Sequence, residues 1–77
     1  MSKKLPIISG SQLVKFFCNK FDFSSTPGSR HLKLKGHIKG KLRVFPVPMH
    51  RELAKGTLLG IIKEAGLTKK EFLEMWE

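Results

Sequence analysis

Apolar residues in the first part of the chain recur at helical spacing. Leu13, Val14, Phe16, Phe17 and Phe21 fall on one stripe, with Lys15, Asn19 and Lys20 between them. That is the pattern of an amphipathic helix. Ser9 followed three residues later by Gln12 is a capping box, a helix start signal. The spacing predicts a first helix of about ten to twelve residues. Its phenylalanines share a face with Leu13 and Val14, which favours burial over a platform for bases.

The period then changes to two. Phe21-Asp22-Phe23-Ser24-Ser25-Thr26 alternates and predicts a short first strand, and Pro27-Gly28 is a turn signal. Arg30–Lys35 reads as a second strand, with Leu32 and Leu34 on one face and His31, Lys33 and Lys35 on the other. Gly36-His37-Ile38-Lys39-Gly40 predicts a glycine-bounded loop that closes a hairpin. Lys41–Val47 predicts a third strand, in which Pro46 removes a ladder donor and so marks an edge or a bulge. The pattern leaves open which of Val44 and Phe45 faces inward.

Pro48–Gly56 reads as a connection. Helical spacing returns at Leu58, Leu59, Ile61, Ile62 and Ala65, in a helix starting near Gly56 or Thr57. Gly66 suits the C′ position and Leu67 its accompanying apolar contact. Thr68-Lys69-Lys70-Glu71 is a second capping box, opening a short last helix with Phe72, Leu73 and Trp76. The fold class is α+β: a helix, a three-stranded antiparallel sheet, a helix and a short C-terminal helix. Helices covering one sheet face make a sound two-layer solution. The other face stays open and carries His31, Lys33 and Lys35. No repeat or low-complexity segment interrupts the pattern.

Size and charge narrow what this surface meets. The 77 residues form a single domain, 1–77, small enough that a stable partner would help it. Fifteen Lys and Arg against six Asp and Glu give a net charge of +9. A field of that density points to a polyanion: nucleic acid, an acidic protein or an anionic membrane surface. No stretch is long and apolar enough to span a bilayer, so no membrane partner is expected. Residues 1–8 read as a basic leader into an extended segment without the apolar run of a signal peptide, which makes the cytoplasm the expected location. The single cysteine, Cys18, excludes an internal disulfide and reads as a small core residue. No Cys/His cluster has zinc spacing, and neither metal nor cofactor is expected. A histidine beside fixed cations at the mouth of a strand, directly after a Pro-Gly-Ser turn, is an arrangement suited to chemistry on a phosphodiester.

Several segments in order resemble one known family. These are Ser9-Gly10-Ser11-Gln12-Leu13-Val14-Lys15, Gly28-Ser29-Arg30-His31-Leu32-Lys33-Leu34, Val47-Pro48-Met49-His50, and the long run from Lys55 to Leu73. Together they resemble the HicA (YcfA-like) toxin family over residues 9–74. The resemblance implies a double-stranded-RNA-binding-domain-like fold and the toxin half of a type II toxin–antitoxin pair. It implies a ribosome-independent mRNA interferase whose active site a HicB-like antitoxin masks, and the exposed basic site predicts that this antitoxin is acidic. The family's catalytic histidine falls on His31. Some members carry histidine at both positions after the serine; this chain has Arg30 at the first.

Metal-independent RNA cleavage needs a base for the 2′-hydroxyl proton, an acid for the leaving oxygen and positive charge on the phosphate. A histidine titrates near neutrality and serves as either base or acid. His31 is the candidate for that role. Lys33 and Lys35 are candidate phosphate contacts, with Arg30 beside the histidine. Lys41 and Arg43 are either further contacts or a solvated strand edge. Ser29 either donates to a phosphate or caps the turn, and the turn is favoured. His37 and His50 read as solvated loop residues. Two other functions compete with a nuclease: a non-catalytic RNA-binding module of the same fold, and a protein whose basic face serves an acidic antitoxin alone.

Overall fold

A computed structural model describes residues 4–28 and 30–76. The elements run α1 (Gly10–Phe21), β1 (Ser24–Pro27), β2 (His31–Ile38), β3 (Lys41–Pro48), α2 (Lys55–Glu64) and α3 (Lys69–Trp76). The strands form one antiparallel sheet in the order β1-β2-β3, so β2 is central and the two others are edges. The helices cover one face, which is the arrangement of a double-stranded-RNA-binding-domain-like fold. Among the described residues, no helix is long and apolar enough to cross a membrane.

Both capping boxes form. The Ser9 hydroxyl accepts from the Gln12 backbone N–H at 3.0 Å, and Gln12 Oε1 accepts from the Ser9 N–H at 2.9 Å. At α3, Thr68 Oγ1 accepts from the Glu71 N–H at 3.1 Å, and Glu71 Oε1 accepts from the Thr68 N–H at 2.8 Å. Helix α2 ends in a Schellman motif: Gly66 has φ of 80°, its N–H donates to Lys63 O, and the Leu67 N–H donates to Ile62 O. Leu67 is buried, making the apolar contact expected of it.

The core lies between the helices and the inner sheet face. Phe17, fully buried, stands 5.2 Å from the Phe45 ring of β3 and 5.3 Å from Phe23. Phe16 meets Phe72 of α3 at 4.9 Å and Trp76 at 5.7 Å. The phenylalanines of α1 are therefore the shared centre of all three layers of contact, as their common face with Leu13 required. Cys18 is half-buried against this cluster.

Three boundaries differ from the sequence pattern. The alternation from Phe21 to Thr26 is not one strand: Phe21 closes α1, Asp22 turns the chain with φ of 56°, and β1 starts only at Ser24. Phe21 and Phe23 both join the aromatic cluster, which is why they mimic strand alternation. Strand β2 does not stop at Lys35 but runs through Gly36, His37 and Ile38. Gly36 is there because the Phe23 ring lies across it, where a β-carbon would collide. The turn is only Lys39-Gly40, with φ of 56° and 75°, the left-handed pair that a tight hairpin demands. Helix α2 begins at Lys55, slightly before the expected start, with Ala54 as a cap that offers no side-chain bond.

That hairpin tip is tied to α3. Lys39 Nζ donates to Glu71 Oε1 at 2.8 Å. This bond first, and the Thr68 N–H second, hold the Glu71 carboxyl below its ordinary value of 4.5. A carboxyl lowered by folding stabilises the protein above the unfolded-state value and loses that contribution as pH falls through the folded one. The pair is exposed, so the effect is small. Glu71→Gln should melt slightly earlier than the parent at neutral pH, and the gap should close in acid once the parent carboxyl is protonated. Thermal melts at the two pH values check this; a gap that persists or widens in acid would contradict the assignment.

Candidate functional site

Period-two geometry places His31, Lys33, Lys35 and His37 of β2 on the face away from the helices, all exposed, while Leu34 and Ile38 are buried on the other. Across from them on β3 stand Pro48, Pro46, Val44 and Leu42 respectively, and β1 adds Thr26 opposite Lys33 and Ser24 opposite Lys35. Val44 thus faces outward and Phe45 inward, resolving the choice the pattern left open.

His31 opens β2. Its carbonyl accepts from the Gly28 N–H at 2.9 Å, which closes the turn from β1 and fixes where the imidazole starts. A shallow depression of about 390 Å³ lies beside it, lined by Thr26, Pro27, Gly28, His31, Lys33 and Pro46. The β3 side of this same end is braced by α1. The Gly10 N–H donates to His50 O at 2.9 Å, and Gly10 sits so close to the Pro48 carbonyl that a β-carbon would strike it. The first turn of α1 thereby locks the end of β3 that faces His31.

Spacing sorts the candidate residues. Side chains two apart on one face of a strand repeat at about 6.8 Å. Lys33 is therefore the cation next to His31 on the strand, and Lys35 stands one step further, in reach of a neighbouring phosphate. Arg30 is exposed at the bend immediately before β2. His37 shares the face but lies about 20 Å from His31 along the strand, too far to share one proton-transfer event. It belongs to a strand, not to the loop expected for it. The clue was present: histidine or lysine at every second position from His31 continues unbroken through Gly36 to His37. His50 is exposed just beyond Pro48, at the His31 end of the sheet.

Arg43 and Lys41 are not brought together with His31. Arg43 pairs with Gly36, and Lys41 with Ile38, which puts both on the helix side of the sheet. The Arg43 guanidinium packs against Gly66 at the C-terminal end of α2, and its Nε is buried with no hydrogen-bond partner among the described residues. A cation there complements the carbonyl end of the helix. Ser29 lies outside the described residues.

Electrostatically the face is one-signed. From Phe23 to Arg51 every charged side chain is positive, so no carboxylate of the sheet or its turns offsets the cations of β2. The arrangement presents one imidazole beside a lysine at the rim of a shallow depression, with a second lysine further along. It can accept a proton, return it, and hold an anion meanwhile.

Two comparisons, with curated proteins and with solved structures, find no match. The model of the family described as HicA toxin of bacterial toxin–antitoxin systems matches residues 10–67, a span from the first turn of α1 through β1, β2, β3 and α2 to Leu67. On a match that takes in the whole sheet and most of the chain, this protein belongs to the HicA toxin family.

Proposed function

We propose that this toxin is an endoribonuclease that cleaves mRNA on the open face of its sheet, with His31 as the proton-transfer group. The observation that carries the reading is the exposed His31 imidazole beside Lys33, at the depression shared with Thr26 and Pro46. His31 takes the proton from a ribose 2′-hydroxyl, the resulting oxygen attacks the adjacent phosphorus, and the bond to the 5′-oxygen breaks. Lys33 offsets the charge that builds on the non-bridging oxygens. Lys35 and Arg30 hold flanking phosphates. With His37 about 20 Å away, the leaving oxygen takes its proton from His31 in turn, from water, or from the neighbouring lysine. The chemistry requires no metal or cofactor.

Family membership implies an antitoxin partner. We propose an acidic, HicB-like one that lays carboxylates over the same face, its association accelerated by the opposite charge. A complex in which that face stays bare would refute this.

The test is purified protein on a defined RNA in EDTA, with the product ends analysed. The expected result is cleavage leaving 2′,3′-cyclic phosphate ends, which places the nucleophile within the substrate. RNA that is bound salt-dependently yet never cut would make the protein an RNA-binding module instead.

A further inference from the structure

The open face is not uniformly polar. Leu42 and Val44 on β3 are 54% and 44% exposed, and Pro46 continues their row. In a chain of net charge +9 these outward positions would be expected to carry polar groups if water were their only neighbour. On β2, directly opposite, stand His37, Lys35 and Lys33. The face therefore repeats a two-part unit: a basic or titratable side chain on β2, and about 5 Å away an apolar one on β3.

We infer that the outward row of β3 seats the bases of a single-stranded RNA whose phosphates run along β2. This rests on the proposed nuclease reading and names the form of its substrate. A nucleotide has the same two parts, an anionic phosphate and an apolar base face. A duplex offers a surface only its phosphates, riboses and groove edges. Against a duplex, Leu42 and Val44 would lose water and gain no apolar partner. Against an unpaired strand, each meets the face of a base that has left its stack. Aliphatic side chains make such contacts with any base, so this row selects strandedness more than sequence. A protein strand paired with the β3 edge would lie beside this row and not over it, and Pro46 and Pro48 leave that edge without two of its backbone donors.

The test uses full-length His31→Ala protein, so that RNA is bound without being consumed, with and without the paired change Leu42→Thr and Val44→Thr. Both positions are exposed and threonine suits a strand, so circular dichroism should be unchanged; the single Val44→Thr variant serves if the pair is not. The probes are a short oligouridine and the same strand annealed to oligoadenine. The parent should bind the single strand more tightly than the duplex. The paired change should weaken single-strand binding about five- to tenfold, with the salt slope unchanged and duplex binding unaffected. Equal or tighter binding of the duplex would overturn the inference. So would unchanged single-strand affinity in the paired variant, including the case in which that variant loses the antitoxin instead. In those cases cleavage by His31 still stands. If neither probe is bound at all, the nuclease reading falls together with this one.

Discussion

Cells producing His31→Ala protein without its antitoxin should keep growing, where the parent protein arrests them. The purified variant should cut RNA at least about a hundredfold more slowly, the lower end of what a positioned acid–base group contributes. Nothing else about the molecule should change. The ring is exposed on the sheet face opposite the core, and its backbone carbonyl makes the bond to Gly28 whatever the side chain. The melting curve and the capture of antitoxin should therefore match the parent's. RNA affinity should fall little, because Lys33, Lys35 and Arg30 remain. An equal loss of activity accompanied by a lower melting temperature would instead mean that His31 supports the turn, and the chemical role would go.

Phe17→Ala should also abolish activity, for a different reason. Phe17 is fully buried and stands at 5.2 Å from Phe16 and from Phe45, and 5.3 Å from Phe23. Removing it takes the centre out of the contact between α1 and the sheet. Truncating a buried phenylalanine costs about 3–5 kcal/mol. A domain's whole stability is about 5–15 kcal/mol, and so small a chain belongs at the low end. The variant should be largely unfolded at growth temperature, with lost helical dichroism, a depressed or absent melting transition, and faster proteolysis. Antitoxin binding should go with it, unlike in His31→Ala. A variant that melts within a few degrees of the parent would show that the aromatic cluster repacks around the gap. The two substitutions thus separate chemistry from architecture.

Much of this architecture was legible because local signals agreed. Both capping boxes, the Gly66 C′ residue and the alternation of Leu32 and Leu34 with His31 and Lys33 each rest on contacts within a few residues. Two of the three boundaries that misled share one cause, the Phe23 ring. It makes Phe21–Thr26 look like a strand, although Phe21 ends α1. Lying across Gly36, it also makes that glycine necessary within β2, where the pattern suggested a strand end. Neither is visible without the tertiary contact. The sorting of cations followed the same logic. Lys33 and Lys35 alternate with Leu32, half-buried, and Leu34, buried, and fall on the open face. Arg43 sits three residues past a tight turn whose length had to be known before its side could be assigned. The exposed Leu42 and Val44 were hidden by the imperfect alternation of β3, in which Pro46 occupies an outward position beside them.

The most direct measurement compares two RNAs that differ only by the 2′-hydroxyl at the cleaved position, each presented to parent and His31→Ala protein, with bound and cut fractions read together. The parent should bind both and cut only the ribose-containing one. His31→Ala should bind both and cut neither. Cleavage of the 2′-deoxy strand by the parent, or undiminished cleavage by His31→Ala, would contradict a ribose hydroxyl activated by this imidazole.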